Sequence, residues 1–196
     1  MYSDQAAEDG LSWLPHRMLR RATSILRRRA HNTSSEGPLN ELAGGTDWAA
    51  AQTAHLRADA SLLYTQLAKG TTLTPRDAAP FNLGPSEQID VRVVLGVAHS
   101  YIAGDDWEGH CSADIACTDQ RLLLRSCADG HVVDFYWDLV DRLEIDLDGN
   151  TVVIGFDIEE PILLYGPAAP ILAVYAVWRL RSLDDFLNDP DLSLLR

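Results

Sequence analysis

The chain contains few residues whose types and spacing could do chemistry, and those few are scattered. Cys111 and Cys117, with His110 or His131, offer thiolates and imidazoles that could hold a tetrahedral metal. Their spacing matches no zinc pattern, and the two cysteines fall on different expected strands, so they read as small packed residues. Cys117 with His131, or Ser100 with His99, could form a nucleophile and its base. Such pairs need a third orienting group and an oxyanion site, and no G-x-S-x-G elbow marks either. No G-x-G-x-x-G or G-x-x-x-x-G-K stretch is present to cradle phosphates. Asp105, Asp106 and Glu108, with Asp114 nearby, could gather a cation but lack the D-x-D-x-D-G spacing of a calcium loop. A solvated loop is the simpler reading. No catalytic, cofactor-binding or metal-ligating residue is assigned, and the chain is not expected to be an enzyme.

The sharpest chemical feature is cationic. Arg17, Arg20, Arg21, Arg27, Arg28 and Arg29 crowd the first 33 residues against three acids, a balance of +3. Interleaved with Leu11, Leu14, Met18, Ala22 and Ile25 at 3–4-residue spacing, they describe an amphipathic helix over residues 11–30, with Pro15 marking its real start near Leu14. These six arginines are the candidate residues for contact with a partner or with lipid. Such a helix can dock on the protein's own acidic barrel or a partner's acidic face, lie on an anionic membrane through residues 11–31, or touch nucleic-acid phosphates.

The rest of the chain has the opposite charge. Residues 34–86 sum to −2, and residues 87–196 hold seven arginines and 21 acids, a balance of −14. Such a field repels nucleic acid and anionic lipid, so nucleic acid is not an expected partner and any lipid contact belongs to the tail. A protein partner is expected, and a homo-oligomer is compatible with the sequence. Three cysteines cannot form a complete disulfide framework, and no secretory leader or membrane-spanning run is evident. These features point to a cytoplasmic protein, with peripheral attachment at the inner membrane face as the alternative.

Positioning these residues requires five segments. Residues 1–33 form the basic helical segment and 34–46 a small, polar linker around Asn32–Pro38. An alanine-rich helix is expected over 47–69, capped by Thr46 or Asp47 and stopped by Lys69-Gly70, with Trp48, Ala51, His55, Leu62 and Leu63 on its apolar side. Pro75, Pro80 and Pro85 make 70–86 an extended connection. From Gln88 the period changes to two, with strands expected near 89–101, 110–118, 121–127, 131–137, 142–147, 151–156 and 161–165. Arg142-Leu143-Glu144-Ile145-Asp146-Leu147 alternates without exception. Asp129-Gly130, Asp148-Gly149-Asn150 and Glu159-Glu160-Pro161 supply turns. Gly166-Pro167 opens a final helix to about Leu187, with Ile171, Val174, Val177 and Trp178 on its apolar face. The expected class is α+β: a seven-stranded antiparallel barrel or sandwich over 87–196, capped by a C-terminal helix and preceded by a helical extension.

Thr118-Asp119-Gln120-Arg121-Leu122-Leu123-Leu124 resembles the T-D/N-x-R-L turn and strand of bacterial pleckstrin-homology-like (PH-like) and GRAM-type domains. Tyr136-Trp137-Asp138-Leu139-Val140-Asp141 resembles the aromatic-acid-aliphatic step before their next strand. Asn188-Asp189-Pro190-Asp191-Leu192 is similar to the H-P-A-L ending of some actinobacterial members, with His and Ala replaced. Within the turn, Asp119 is expected to bond nearby backbone N–H groups while Arg121 begins a strand. The resemblance covers about 110 residues and implies a PH-like fold acting as a non-enzymatic protein-interaction or scaffolding module. The alternative it leaves is a peripheral membrane adaptor held by the arginine helix. Eukaryotic PH domains bind phosphoinositides through basic residues in the first hairpin loops, whereas Ala103-Gly104-Asp105-Asp106-Trp107-Glu108-Gly109 is acidic. The resemblance therefore implies no lipid-phosphate site on the barrel itself.

Overall fold

A computed structural model describes residues 45–102 and 106–196. The basic segment 1–33 with its six arginines, the linker as far as residue 44, and loop residues 103–105 lie outside the described residues.

Helix α1 spans Gly45–Ala68 and ends at Gly70, whose φ of 66° suits the left-handed position after a helix. Its buried stripe is Ala60, Leu63 and Leu67, joined by Tyr64 and extended by the half-buried Leu56. This corrects the expected apolar side. Leu63 is buried, but Trp48 is 68% exposed, Leu62 57% exposed, and Ala51 and His55 also face solvent. The 56–60–63–67 spacing holds an unbroken helical face, and tertiary packing selects it over the alternative.

Seven strands follow: β1 Val91–Ile102, β2 Asp106–Cys117, β3 Arg121–Ser126, β4 Val132–Tyr136, β5 Val140–Asp146, β6 Thr151–Phe156 and β7 Ile162–Tyr165. Every pairing is antiparallel, in the order β4-β3-β2-β1-β7-β6-β5. The seven expected strands are present. β2 starts four residues early, because the first hairpin is longer than its acidic composition suggested, and β5 starts at Val140 through a bulge before Arg142.

This order forces closure. β4 and β5 lie at opposite edges, about 29 Å apart if the sheet were flat at ~4.8 Å per strand. Only the 3-10 corner Trp137–Leu139 joins them, and four residue steps reach about 14 Å at most. The sheet must curl, and Phe135 of β4 stacks on Phe156 of β6 across it, ring centroids 4.8 Å apart. The expected α+β order, seven antiparallel strands followed by a C-terminal helix and preceded by another, is the one the chain adopts.

The C-terminal helix differs from expectation in length. Helix α2 spans Ala169–Leu180, and the chain breaks at extended Arg181 and Ser182 before α3, Leu183–Asn188. Ser182 accepts a hydrogen bond from the Asp185 amide, an N-cap that restarts the helix in a new direction. The terminal Asp189-Pro190 step then caps a 3-10 turn, Pro190–Leu195, that buries Leu192 and Leu195.

Residues Leu172–Val177 of α2 are all buried, on every side of the helix. One side meets the sheet and another meets α1, which also packs on the terminal turn. Tyr64 donates to the Leu187 carbonyl at 3.2 Å and sets its ring 4.9 Å from Phe186. α1 therefore shares one apolar core with the barrel. The expected apolar face of α2 holds, with Val174 and Val177 buried and Ile171 and Trp178 half-buried.

Residues 70–86 run extended over the outside of the sheet. Phe81 and Ile89 bury against Ala116 and Leu123, residues that alternate with the inward-facing Cys117 and Leu122. Arg76 bridges to Ile89, and the Arg92 guanidinium donates to the carbonyls of Asp77 and Ala79 at 3.0 and 2.8 Å.

Candidate functional site

The structure does not bring the candidate nucleophile Cys117 together with its candidate base His131. Cys117 is fully buried, and loss of solvation pushes its thiol far above the usual range, away from nucleophilic thiolate. Cys117 pairs with Leu122 at one end of β3, while His131 bonds the other end through Ser126. Four strand steps hold them about 13 Å apart. The His99 ring lies against Gly109, where an added Cβ would sit 2.3 Å from its Cε1.

His110 is bound on both ring nitrogens. Nε2 lies 3.0 Å from the Trp107 carbonyl and therefore carries the proton, leaving Nδ1 to accept from the Tyr165 hydroxyl at 3.2 Å. Tyr165 in turn covers Gly96, where an added Cβ would sit 2.3 Å from the ring. Asp114 is held by Arg92 in a bidentate pair at 3.0 and 2.7 Å. Among the described residues, no group of three or more His, Cys, Asp or Glu side chains comes together to hold a metal.

The T-D-x-R motif is a latch, and its chemistry differs from the expected one. Thr118, not Asp119, makes the turn: its hydroxyl oxygen accepts from the Gln120 and Arg121 amides at 3.2 and 3.0 Å. A threonine preceding the turn reaches those donors, which leaves the Asp119 side chain at the surface. The same hydroxyl donates to Glu87 Oε1 at 2.8 Å. Arg121 grips both oxygens of Glu87 at 2.8 Å and donates to Asp134 at 2.7 Å. Glu87 is 2% exposed, and the Arg121 hydrogen bonds hold its carboxyl down to about 2. Fixed guanidinium geometry thus ties β3, β4 and the chain before β1 together.

A second buried polar link lies beneath it. The Tyr175 hydroxyl donates to Asp90 Oδ2 at 2.6 Å, with its ionisation pushed up by burial and then by that acceptor. Both links consume charge and hydrogen bonds within the chain.

The β5 edge is different. β5 pairs with β6 alone, so its other side presents unpaired backbone N–H and C=O groups among the described residues. Arg142, Glu144 and Asp146 are exposed, while Leu143 and Ile145 are half-buried at the rim of the core. At the start of β5 a cleft of about 590 Å³ opens between Asp119, Tyr136, Asp138, Val140 and Arg179. Arg179 is anchored there by donation to the Asp119 carbonyl, with its guanidinium 5.4 Å from the Trp178 ring centroid. Residues 129–160, which include this edge and its flanking turns, hold ten acids and one arginine, Arg142. That count was legible in the sequence; the open edge was not, because it depends on strand order. Another cleft, of about 580 Å³, lies between α1 and the β6–β7 side, lined by Gln52, Thr53, His110, Asn150 and Tyr165. Its His110 is already committed to Tyr165 and Trp107, while the buried Asn150 Oδ1 has no hydrogen-bond partner.

Among the described residues no helix is long and apolar enough to cross a membrane. The six candidate arginines are not among the described residues, so the structure brings none of them to this site.

No family model matches the chain, and no curated protein does. Solved structures similar to part of it include two domains of low identity. The Vps36 N-terminal PH domain aligns with TM-score 0.39 and 14% identity, covering 55% of this chain and 87% of that one. The C-terminal domain of an unknown protein from Leishmania infantum aligns with TM-score 0.32 and 10% identity, covering 45% and 83%.

Proposed function

We propose that this protein is a non-enzymatic protein-interaction module whose barrel receives its partner along the β5 edge. One observation carries the reading: a strand with one side unpaired among the described residues, beside a cleft and a half-buried apolar rim. Arg17, Arg20, Arg21, Arg27, Arg28 and Arg29 serve as an accessory tether on an acidic face of that partner, apart from the segment seated on β5. Cys117 is committed to packing and His110 to hydrogen bonds, and the described residues bring no nucleophile together with a base, which supports the non-enzymatic reading.

The test uses a photo-crosslinking side chain in place of Glu144 in the full chain, expressed in the native host. A control places it at Val94, which is 60% exposed on the central strand β1. Partner protein should be trapped from position 144 and not from 94. Equal trapping, or trapping from 94 alone, refutes the surface.

The alternative, a peripheral adaptor held on anionic lipid by the same six arginines, is weighed by vesicle flotation. Full chain carrying all six arginines as glutamine should behave as the parent if the arginines serve a protein partner. Flotation of the parent that the substitutions abolish favours the lipid adaptor.

A further inference from the structure

Two strands end the sheet, and their surroundings differ in what they could receive. β4 is short, and its central Asp134 is already bound by Arg121. β5 is longer, and Arg142, its Nε 3.2 Å from Glu144, is the one cation on the strand, while Arg57 lies 3.7 Å from Asp148 beyond its far end and Arg179 shares the cleft with Asp138 at its start. Asp138, Asp141 and Asp148 extend the acidic row beyond that pair at both ends.

We propose that the β5 edge takes an extended, basic polypeptide segment as an added strand. The inference rests on the reading of β5 as the interaction surface and names the partner's chemistry. Strand periodicity puts Arg142, Glu144 and Asp146 on one face and Leu143 and Ile145 on the other. An added strand that alternates basic and apolar residues sets its cations opposite Glu144 and its neighbours, and its apolar side chains over the half-buried rim. Cross-strand neighbours lie within about 5.5 Å, close enough for each cation to meet an acid. The same acidic row excludes a second copy of this chain, since edge-to-edge pairing would bring like charges together. It equally repels nucleic acid and anionic lipid. A basic strand is the occupant that supplies both the missing backbone partners and the missing charge.

The test titrates the full chain, isotopically labelled, with three blocked peptides long enough to pair with all of β5. One alternates arginine with valine, the second threonine with valine, and the third glutamate with valine. The basic peptide should perturb the β5 amides, bind at least about fivefold more tightly than the neutral one, and weaken between about 50 and 300 mM salt. N-methylation of every second peptide amide should abolish its binding, and Asp138→Lys with Glu144→Lys in the protein should erase the preference for arginine. Equal binding of neutral and basic peptides overturns the charge assignment while leaving β5 as the surface. Binding of the basic peptide that survives N-methylation overturns strand addition. Failure of all three peptides to move the β5 amides overturns both this inference and the surface it rests on.

Discussion

The latch at Arg121 and the edge at β5 occupy opposite ends of the strand order and treat charge in opposite ways. At the latch, one guanidinium holds Glu87 and Asp134, and a threonine hydroxyl satisfies what remains. At the edge, acids outnumber cations and one side of the backbone lacks a partner among the described residues. A charge that is bidentate and 2% exposed is part of the fold; a charge that is exposed and surplus is available to something else. That contrast, more than residue type, separates structure from function here.

The strongest way to break the contrast is to attack the latch. Arg121→Ala leaves Glu87 buried without its counter-charge and should destabilise the protein by about 3–5 kcal/mol in urea unfolding. Replacing Glu144 by alanine at the edge should cost under about 0.5 kcal/mol, since exposed pairs contribute little. Comparable losses at the two sites would erase the distinction.

α1 provides a second contrast, between its own two faces. Leu67, 2% exposed, joins the shared core, and Leu67→Ala should cost about 3 kcal/mol through lost burial and the cavity left behind. Trp48→Ala, on the outer face, should fall within about 1 kcal/mol of the parent. If Leu67→Ala proves harmless, α1 is an appendage and the barrel folds without it.

Acid sharpens the latch specifically. The Glu87 carboxyl lies at about 2 in the folded chain against an ordinary 4.5, so its folded value is depressed. Its contribution is complete above about pH 5 and is lost as pH falls from 4.5 through 2. Glu87→Gln, less stable at neutral pH, should show a shallower stability loss across that acid limb in melts taken stepwise from pH 6 to pH 2. Parallel slopes would mean that other carboxylates govern the acid transition.

These contrasts also explain what the sequence could tell. The alternation of Arg142–Leu147 and the turns at Asp129-Gly130 and Asp148-Gly149 made the strands legible, because period and turn chemistry are local. The outer face of α1 was misread because Trp48 and Leu62 satisfy a helical period as well as Leu56 and Leu67 do. Only the position of α2 and the terminal turn decides between them. The break at Ser182 is a capping signal in plain view, hidden inside an apolar period that runs on toward Phe186 and Leu187. Thr118 and Arg121 announced a turn, but their partner Glu87 lies 34 residues back from Arg121, beyond any local pattern. The acidic surplus over 129–160 could be counted, yet its meaning depends on β5 being an edge, a fact of topology. Arg17–Arg29 remain a proposal on the sequence alone.

The smallest expected effect on the fold is also the most discriminating. Asp138→Lys with Glu144→Lys adds two cations to the acidic edge without touching a buried contact, since both residues are exposed and neither belongs to the latch. Loss of the Arg142–Glu144 pair should be offset by relief of repulsion among neighbouring acids, leaving stability within about 0.5 kcal/mol of the parent. Protein yield, melting temperature and the β5–β6 pairing should therefore be unchanged. Recovery of the host partner should fall, because association is steered by the field at the edge rather than by the barrel's core. If the double variant unfolds, the edge acids belong to the fold after all. If it keeps both its stability and its partner, they belong to neither. Only unchanged stability with lost capture separates an acid held for structure from one kept for a partner.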